Sequence, residues 1–515
     1  MNARVPPRRR SRMALSIAAS LLVAVACAPS GPPRTTRVWI IGQSEPRFDP
    51  TGPPDPVRWA IERLLGEGLV AEDSTGRIAA AGARHWDVTP DGLTYTFHLR
   101  PDAHFDDAGP CTSADARRAL TAGLNRLDHG TYAWLLSPVV GVGRVRAGRP
   151  LPPLGIATPD EHTIVLRLAR ADPTLLHKLA TPGASMPWTP DSHWGGWGGG
   201  TGPYRLVARE PGRRMVLARR VPGDGPDTVR IEFAPTLARI LTLLRRGTPD
   251  LVWPAPPGLL RGDLPGEYRT LVRDARPLRR LWLVMRSDLP PTTKIEARRA
   301  LAHALDRSGI LSALGRRAGE TVEWLPGAGS FDWPRRDAGE VREWLDRGKL
   351  GRSLHVVMAY SSEGVAAEVA RSMQVEWAGL GLDVELRPLR GAKLAAEALG
   401  RGGAQLLLLD AQAPMVDPVS ELSLVVASRR GPPVGSFRTG WVAAEFERWT
   451  GPQPPETALD GAYVQRRLSE DLVALPLLRL PWAWVERAGG ATIGFHPHYG
   501  PDPGRGVPSR PDQTR

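Results

Sequence analysis

The chain has 515 residues, too many for one hydrophobic core, so a single-domain fold is excluded. Its formal net charge of +13 is scattered through Arg-rich segments and not gathered into a basic tract with interleaved aromatics, which argues against a nucleic-acid partner. Cys27 and Cys111 are the only cysteines, so a disulfide framework is excluded as well.

Arg4, Arg8, Arg9, Arg10 and Arg12 precede an apolar run from Met13 to Ala26. That run is short for a membrane span and suits the core of a secretory signal over residues 1–26. Ala24-Val25-Ala26-Cys27 resembles a bacterial lipobox, which implies that Cys27 is acylated and becomes the new N-terminus. An ordinary secretory signal with a chance cysteine is the alternative. On the lipobox reading, residues 27–35 are a lipid anchor and a short Pro-rich tether. No second apolar run reaches membrane-spanning length.

Beyond the tether, residues 37–42 predict a first strand leading into Ser44-Glu45-Pro46. Trp59 to Leu69 carries apolar residues at helical spacing and is punctuated by Gly66 and Gly68. Thr89-Pro90-Asp91-Gly92 is a turn, after which Leu93, Tyr95, Phe97 and Leu99 alternate with polar residues as a half-buried strand does. Thr112-Ser113-Ala114-Asp115 caps a helix, and Cys111 before it reads as a buried, inert thiol. Thr158-Pro159-Asp160 is a second turn, before a strand at residues 163–168.

The Gly-rich stretch from Trp194 to Tyr204 marks a crossing between domains. It lacks the Gly-Lys-Ser/Thr ending of a phosphate loop. Residues 228–233, a helix with Leu237, Ile240, Leu241 and Leu244, and a strand from Asp250 to Trp253 predict a β-α-β unit. The second half repeats this grammar, with strands at 281–286, 354–360, 382–386 and 405–410. Val365, Val369, Met373, Trp377 and Leu380 stripe an intervening helix, and the Leu-rich 405–410 run suits a sheet covered on both faces. Mixed sheets with crossover helices in two or more domains are therefore expected.

Taken together, several pieces resemble the extracellular solute-binding proteins of family 5, the dipeptide-, oligopeptide- and nickel-binding group. They are Trp86 to Arg100, Phe105-Asp106-Asp107, Thr112 to Asp115, Gly200 to Tyr204, the turn from Gly247 to Asp250, Ala297 to Arg307, and Asp417-Pro418. The resemblance covers nearly all of the chain beyond the tether. It implies an α/β fold of two lobes and three domains with mixed sheets, and a hinge that closes the lobes over a ligand. Domain I is then discontinuous, over 36–49, 195–275 and 480–515. Domain II, 50–194, is inserted in it, and domain III, 276–479, is the second lobe. The family also implies a monomer that hands a solute, peptide-like by preference, to an ABC permease and ATPase. It implies no cofactor and no catalysis.

The same resemblance places an acidic residue in the segment before Asp417-Pro418, where peptide-binding members hold the terminal amine. Here Ala411 and Pro414 fall on that pattern's Trp and Asp, which argues against a zwitterionic dipeptide. Asp410 stands nearby, at the end of the predicted strand.

Clefts in such folds are lined by strand ends and the loops that follow them. That nominates Ser44, Glu45, Trp253, Tyr360, Ser361, Asp410, Gln412, Arg479 and Trp482 as ligand contacts, with the two tryptophans foremost. No metal set is assigned: His496-Pro497-His498 offers two imidazoles, but rigid Pro497 separates them and no Cys or acidic partner lies close in sequence. Two other readings stand beside import. One is an orphan surface lipoprotein acting as sensor or scaffold. The other is an exported hydrolase, for which no Gly-x-Ser-x-Gly or His-Glu-x-x-His is present.

Overall fold

The structure, a computed structural model, describes residues 35–502 apart from 47, 49–54, 74–75, 106–108, 122–123, 125–134, 146–147, 185–199, 221–224, 262–263, 274–278, 315–328, 331–332, 363, 399–401, 414–443, 445–460, 489–493 and 497–498. Cys27, Pro414, Asp417-Pro418 and His498 therefore lie outside the described residues.

Three large sheets organise the chain. The first has seven strands in the order Tyr268–Arg273, Trp482–Arg487, Leu251–Val252, Thr36–Ile41, Thr228–Phe233, Arg214–Arg219 and Tyr204–Glu210. Thr36–Ile41 runs parallel to both of its neighbours, so the predicted β-α-β unit holds a third strand between its two. Alternation along this sheet feeds a core on each face. Trp39 and Ile41 point to one, and Val38 and Ile40 to the other.

Between Ile41 and Tyr204 the chain builds a four-stranded antiparallel sheet, ordered Ala83–Val88, Thr94–Leu99, Thr163–Arg167 and Ile156–Asp160. The predicted alternation is observed: Tyr95, Phe97 and Leu99 are buried, while Thr94, Thr96 and His98 face away from that core. The helix Ser113–Thr121 starts with a reciprocal cap. Asp115 Oδ2 accepts from the Thr112 amide at 2.9 Å and its hydroxyl at 2.7 Å, and Thr112 Oγ1 accepts from the Asp115 amide. Cys111 is buried beneath this cap. Burial, with the adjacent Asp115 carboxylate, pushes its thiol up to about 12, so it stays protonated and unreactive.

The helix Pro56–Leu65 begins where Asp55 accepts from the Val57 and Arg58 amides, with Pro56 at its first turn, and ends at Gly66. The returning chain passes directly over that end. A Cβ on Gly200 would lie 1.9 Å from the Leu65 carbonyl oxygen, and one on Gly202 2.4 Å from the Leu65 carbonyl carbon. The Gly-Thr-Gly run is thus a close backbone approach, and no side chain fits there.

The third sheet has five strands, ordered Leu382–Leu389, Leu354–Ser361, Leu406–Gln412, Arg279–Met285 and Ala474–Arg479. Arg279–Met285 is antiparallel to its neighbours, while the Leu354–Ser361 strand runs parallel to those beside it. Leu406, Leu407, Leu408 and Leu409 are all buried, as a strand covered on both faces requires. Trp377 and Met373, from the striped helix Ala366–Ala378, are buried in the same core. No described helix is long and apolar enough to cross a membrane.

Candidate functional site

The chain crosses twice between the seven-stranded and five-stranded sheets. One crossing joins Tyr268–Arg273 to Arg279–Met285, and the other joins Ala474–Arg479 to Trp482–Arg487 through Leu480 and Pro481. A hydrogen bond ties them together, from the Leu480 amide to the Arg279 carbonyl at 2.9 Å. Two crossings tied together at this point allow one sheet to bend against the other, which is how a hinge is built.

Trp482 begins the strand that leaves the second crossing. Its ring centroid lies 5.2 Å from that of Trp253, and the Arg279 guanidinium sits 4.9 Å from the same ring. Arg279 then forms a two-pronged pair with Asp410: Nε to Oδ1 at 2.8 Å and Nη2 to Oδ2 at 2.6 Å. The guanidinium fork matches the carboxylate plane, so both partners are held in place. A continuous chain of contacts, Trp253 to Trp482 to Arg279 to Asp410, therefore links the first sheet to the third beside the crossings.

Asp410 does not end its strand. Pairing continues to Gln412, which stands opposite Arg279, while Leu281 stands opposite Asp410. Tyr360 and Ser361 end the neighbouring parallel strand, and a Cβ on Gly364 would lie 4.0 Å from Asp410 Oδ2. Arg479 ends its own strand opposite Arg280. The structure thus places Tyr360, Ser361, Asp410, Gln412 and Arg479 at one edge of the third sheet, the carboxyl ends of its strands, with Trp482 across from them. Ligands of open α/β sheets sit at such edges.

Other nominated residues are elsewhere or already committed. Trp253 is fully buried, between Trp482 and the backbone of Gly500, where a Cβ would meet its ring at 2.4 Å. In this conformation it packs beneath the site and offers no surface to a ligand, and Trp482, buried in the same core, offers almost none. Glu45 accepts from Arg209 Nε at 2.8 Å and from the Gly212 amide, which pins the segment after the first strand to a hairpin turn. Ser44 beside it is exposed and joins none of these groups. His496 is buried, stacks on Tyr499 at 4.7 Å and donates through Nε2 to the Glu72 carbonyl at 3.0 Å.

Arg279 is the residue that sequence reasoning missed. The signal available was the Arg279-Arg280 doublet immediately after a predicted crossing, but its partner lies 131 residues away.

Comparison with known proteins fits this architecture. The chain is 22% identical over 437 residues to the oligopeptide-binding protein OppA of Bacillus subtilis, covering 78% of this chain and 79% of that one. Among solved structures, the murein tripeptide-binding protein MppA of Escherichia coli superimposes with a TM-score of 0.77 at 17% identity, covering 92% of this chain and 97% of MppA. Haemophilus influenzae OppA, solved with the peptide RPPGFSPFR, gives a TM-score of 0.73 at 19% identity, covering 88% and 95%. The fold is the two-lobed α/β fold of these proteins, with mixed sheets and a hinge. Residues 77–432 match the family described as bacterial extracellular solute-binding proteins, family 5. With that match spanning well over half of its length, the chain belongs to the family 5 extracellular solute-binding proteins.

Proposed function

We propose that the protein is the substrate-binding lipoprotein of an ABC importer, closing its two lobes over a peptide-like solute and presenting it to a membrane permease and its ATPase. Three things support this reading: the double crossing, the aromatic and charged stack beside it, and the relatives named for oligopeptides. On this reading the seven-stranded sheet belongs to domain I (36–49, 195–275 and 480–515), the four-stranded sheet to domain II (50–194) and the five-stranded sheet to domain III (276–479). Cys27 carries the lipid, and the folded body works as a monomer at the membrane surface. Metabolic labelling with a palmitate analogue tests the anchor: label on the native chain and none on Cys27→Ser is the expected result.

The observation that carries the ligand assignment is the Arg279–Asp410 pair. An amine can claim Asp410 only by displacing a two-pronged guanidinium, and Pro414 offers no charge in its place. The solute is therefore a peptide-like molecule held by its backbone at the strand ends of the third sheet, with no premium on a free terminal amine. The expected result is that free and N-acetylated forms of one tripeptide, titrated calorimetrically, bind within about threefold of each other, a difference under about 1 kcal/mol. A preference of tenfold or more for the free amine would sink this assignment. Arg279→Gln, which frees Asp410, is expected to create just such a preference. A folded protein that binds no member of a broad peptide library would favour the sensor or scaffold reading over transport.

A further inference from the structure

Away from the crossings, the exposed face of the four-stranded sheet brings three potential metal ligands together. His85 and Asp87 lie on the strand Ala83–Val88, two residues apart and hence on one face. His98 lies on Thr94–Leu99, directly opposite His85 in the antiparallel register. The two imidazoles stack with centroids 4.3 Å apart, and Asp87 Oδ2 is 3.1 Å from His98 Nε2. One ligand atom from each of the three lies within 4.8 Å of the others.

The backbone contributes to this arrangement. The register slips between Ala83 and His85, so Ala83 stands opposite Leu99 while His85 stands opposite His98. Without that irregularity Arg84 would take the place opposite His98 and His85 would turn toward the core. Bulges of this kind re-aim a side chain, and they recur at sheet edges beside functional sites. Ala83–Val88 is an edge strand, so the site opens to solvent on one side.

We infer that His85, Asp87 and His98 form a binding site for a divalent d-block cation of the zinc class. Two imidazole nitrogens and one carboxylate oxygen suit zinc, nickel, cobalt or copper and are too nitrogen-rich for calcium or magnesium. Ligand bonds of about 2.0–2.2 Å need the three atoms drawn closer than they stand, which rotation of exposed side chains supplies. Solvent completes the coordination at the open edge, and the ion clamps the edge strand to its neighbour. The sequence alone does not suggest this site, because its ligands are divided between two strands and meet only through their pairing.

The test is calorimetric titration of the untagged chain beyond the tether with zinc chloride, paired with the visible absorption of added cobalt(II). One equivalent bound with micromolar affinity, and a cobalt spectrum showing nitrogen ligation, is the expected result. His85→Ala and His98→Ala are each expected to weaken binding at least tenfold, while Asp87→Asn weakens it less. His104→Ala, an exposed histidine outside the site, leaves it unchanged. Circular dichroism confirms folding, and His98→Asn replaces His98→Ala should the latter misfold. Failure to bind zinc or cobalt overturns the inference. So does binding that survives His85→Ala and His98→Ala, or that His104→Ala removes equally.

Discussion

Trp253→Ala is expected to cost about 3–5 kcal/mol of folding stability, the range for emptying a fully buried aromatic site. The ring is wholly buried against Trp482 and the Gly500 backbone, so little surrounds it that could collapse into the space. Trp253→Phe separates volume from polarity. The Trp253 indole N–H is buried and has no hydrogen-bond partner among the described residues, and such an orphan costs about 1–3 kcal/mol. Phenylalanine removes that orphan while losing part of the ring, so its net effect should be under about 2 kcal/mol. Urea denaturation monitored by Trp fluorescence and by far-UV dichroism checks both. If Trp253→Phe proves as damaging as Trp253→Ala, the N–H has a partner or a task that the packing account omits.

Lys178→Met is expected to cost nearly as much, by a different route. Lys178 Nζ meets Asp172 Oδ2 at 2.6 Å with both side chains almost fully buried. Asp172 also accepts from the Thr174 amide at 2.9 Å and its hydroxyl at 2.7 Å. Burial alone would raise the Asp172 pKa, but the Lys178 charge and these hydrogen bonds outweigh it and hold the carboxyl below its ordinary value. Removing the lysine leaves a buried carboxylate without its cation, a loss of about 3–5 kcal/mol at neutral pH. Arg170 also bears on Asp172, which favours the lower end of that range.

The pH dependence distinguishes this route from simple loss of packing. In the native protein Asp172 titrates lower when folded than when unfolded. Its contribution is therefore complete above the unfolded value near 4 and fades as pH falls through the folded one. In Lys178→Met burial is less opposed and the folded pKa rises, so the penalty applies where Asp172 is charged and shrinks on protonation. The stability gap between the two proteins should therefore narrow from neutral pH toward about pH 4. A gap constant over that range would show that Lys178 acts through its methylene packing.

Much of this fold was legible wherever local pattern and final environment agree. Tyr95, Phe97 and Leu99 alternate because one face of their sheet is buried. Leu406 to Leu409 do not alternate because both faces are. What local pattern cannot carry is pairing between distant segments. Asp410 looked like a strand terminus because nothing near it in sequence announces Arg279. Trp253 follows a strand and is large and aromatic, as a ligand contact should be, yet the C-terminal hairpin at Gly500 covers it. His85, Asp87 and His98 look unremarkable until a register irregularity sets two of them opposite one another.

The position of the Thr36–Ile41 strand bears on how the molecule is made. It is the first of the described strands in chain order, yet it lies in the interior of its sheet, and its neighbours on either side come far later in the chain. Thr35 and Asp227, which bond at one flank, are 192 residues apart, and Val38 and Asp250 at the other are separated by 212. Until those partners emerge, Trp39, Ile40 and Ile41 form an apolar strand with both edges unpaired, open to the wrong partner. Contacts of such range are slow to form, because a long loop must close before they are rewarded. The first sheet therefore cannot begin to assemble around this strand until residues 228–252 have emerged, and it is complete only with Trp482–Arg487.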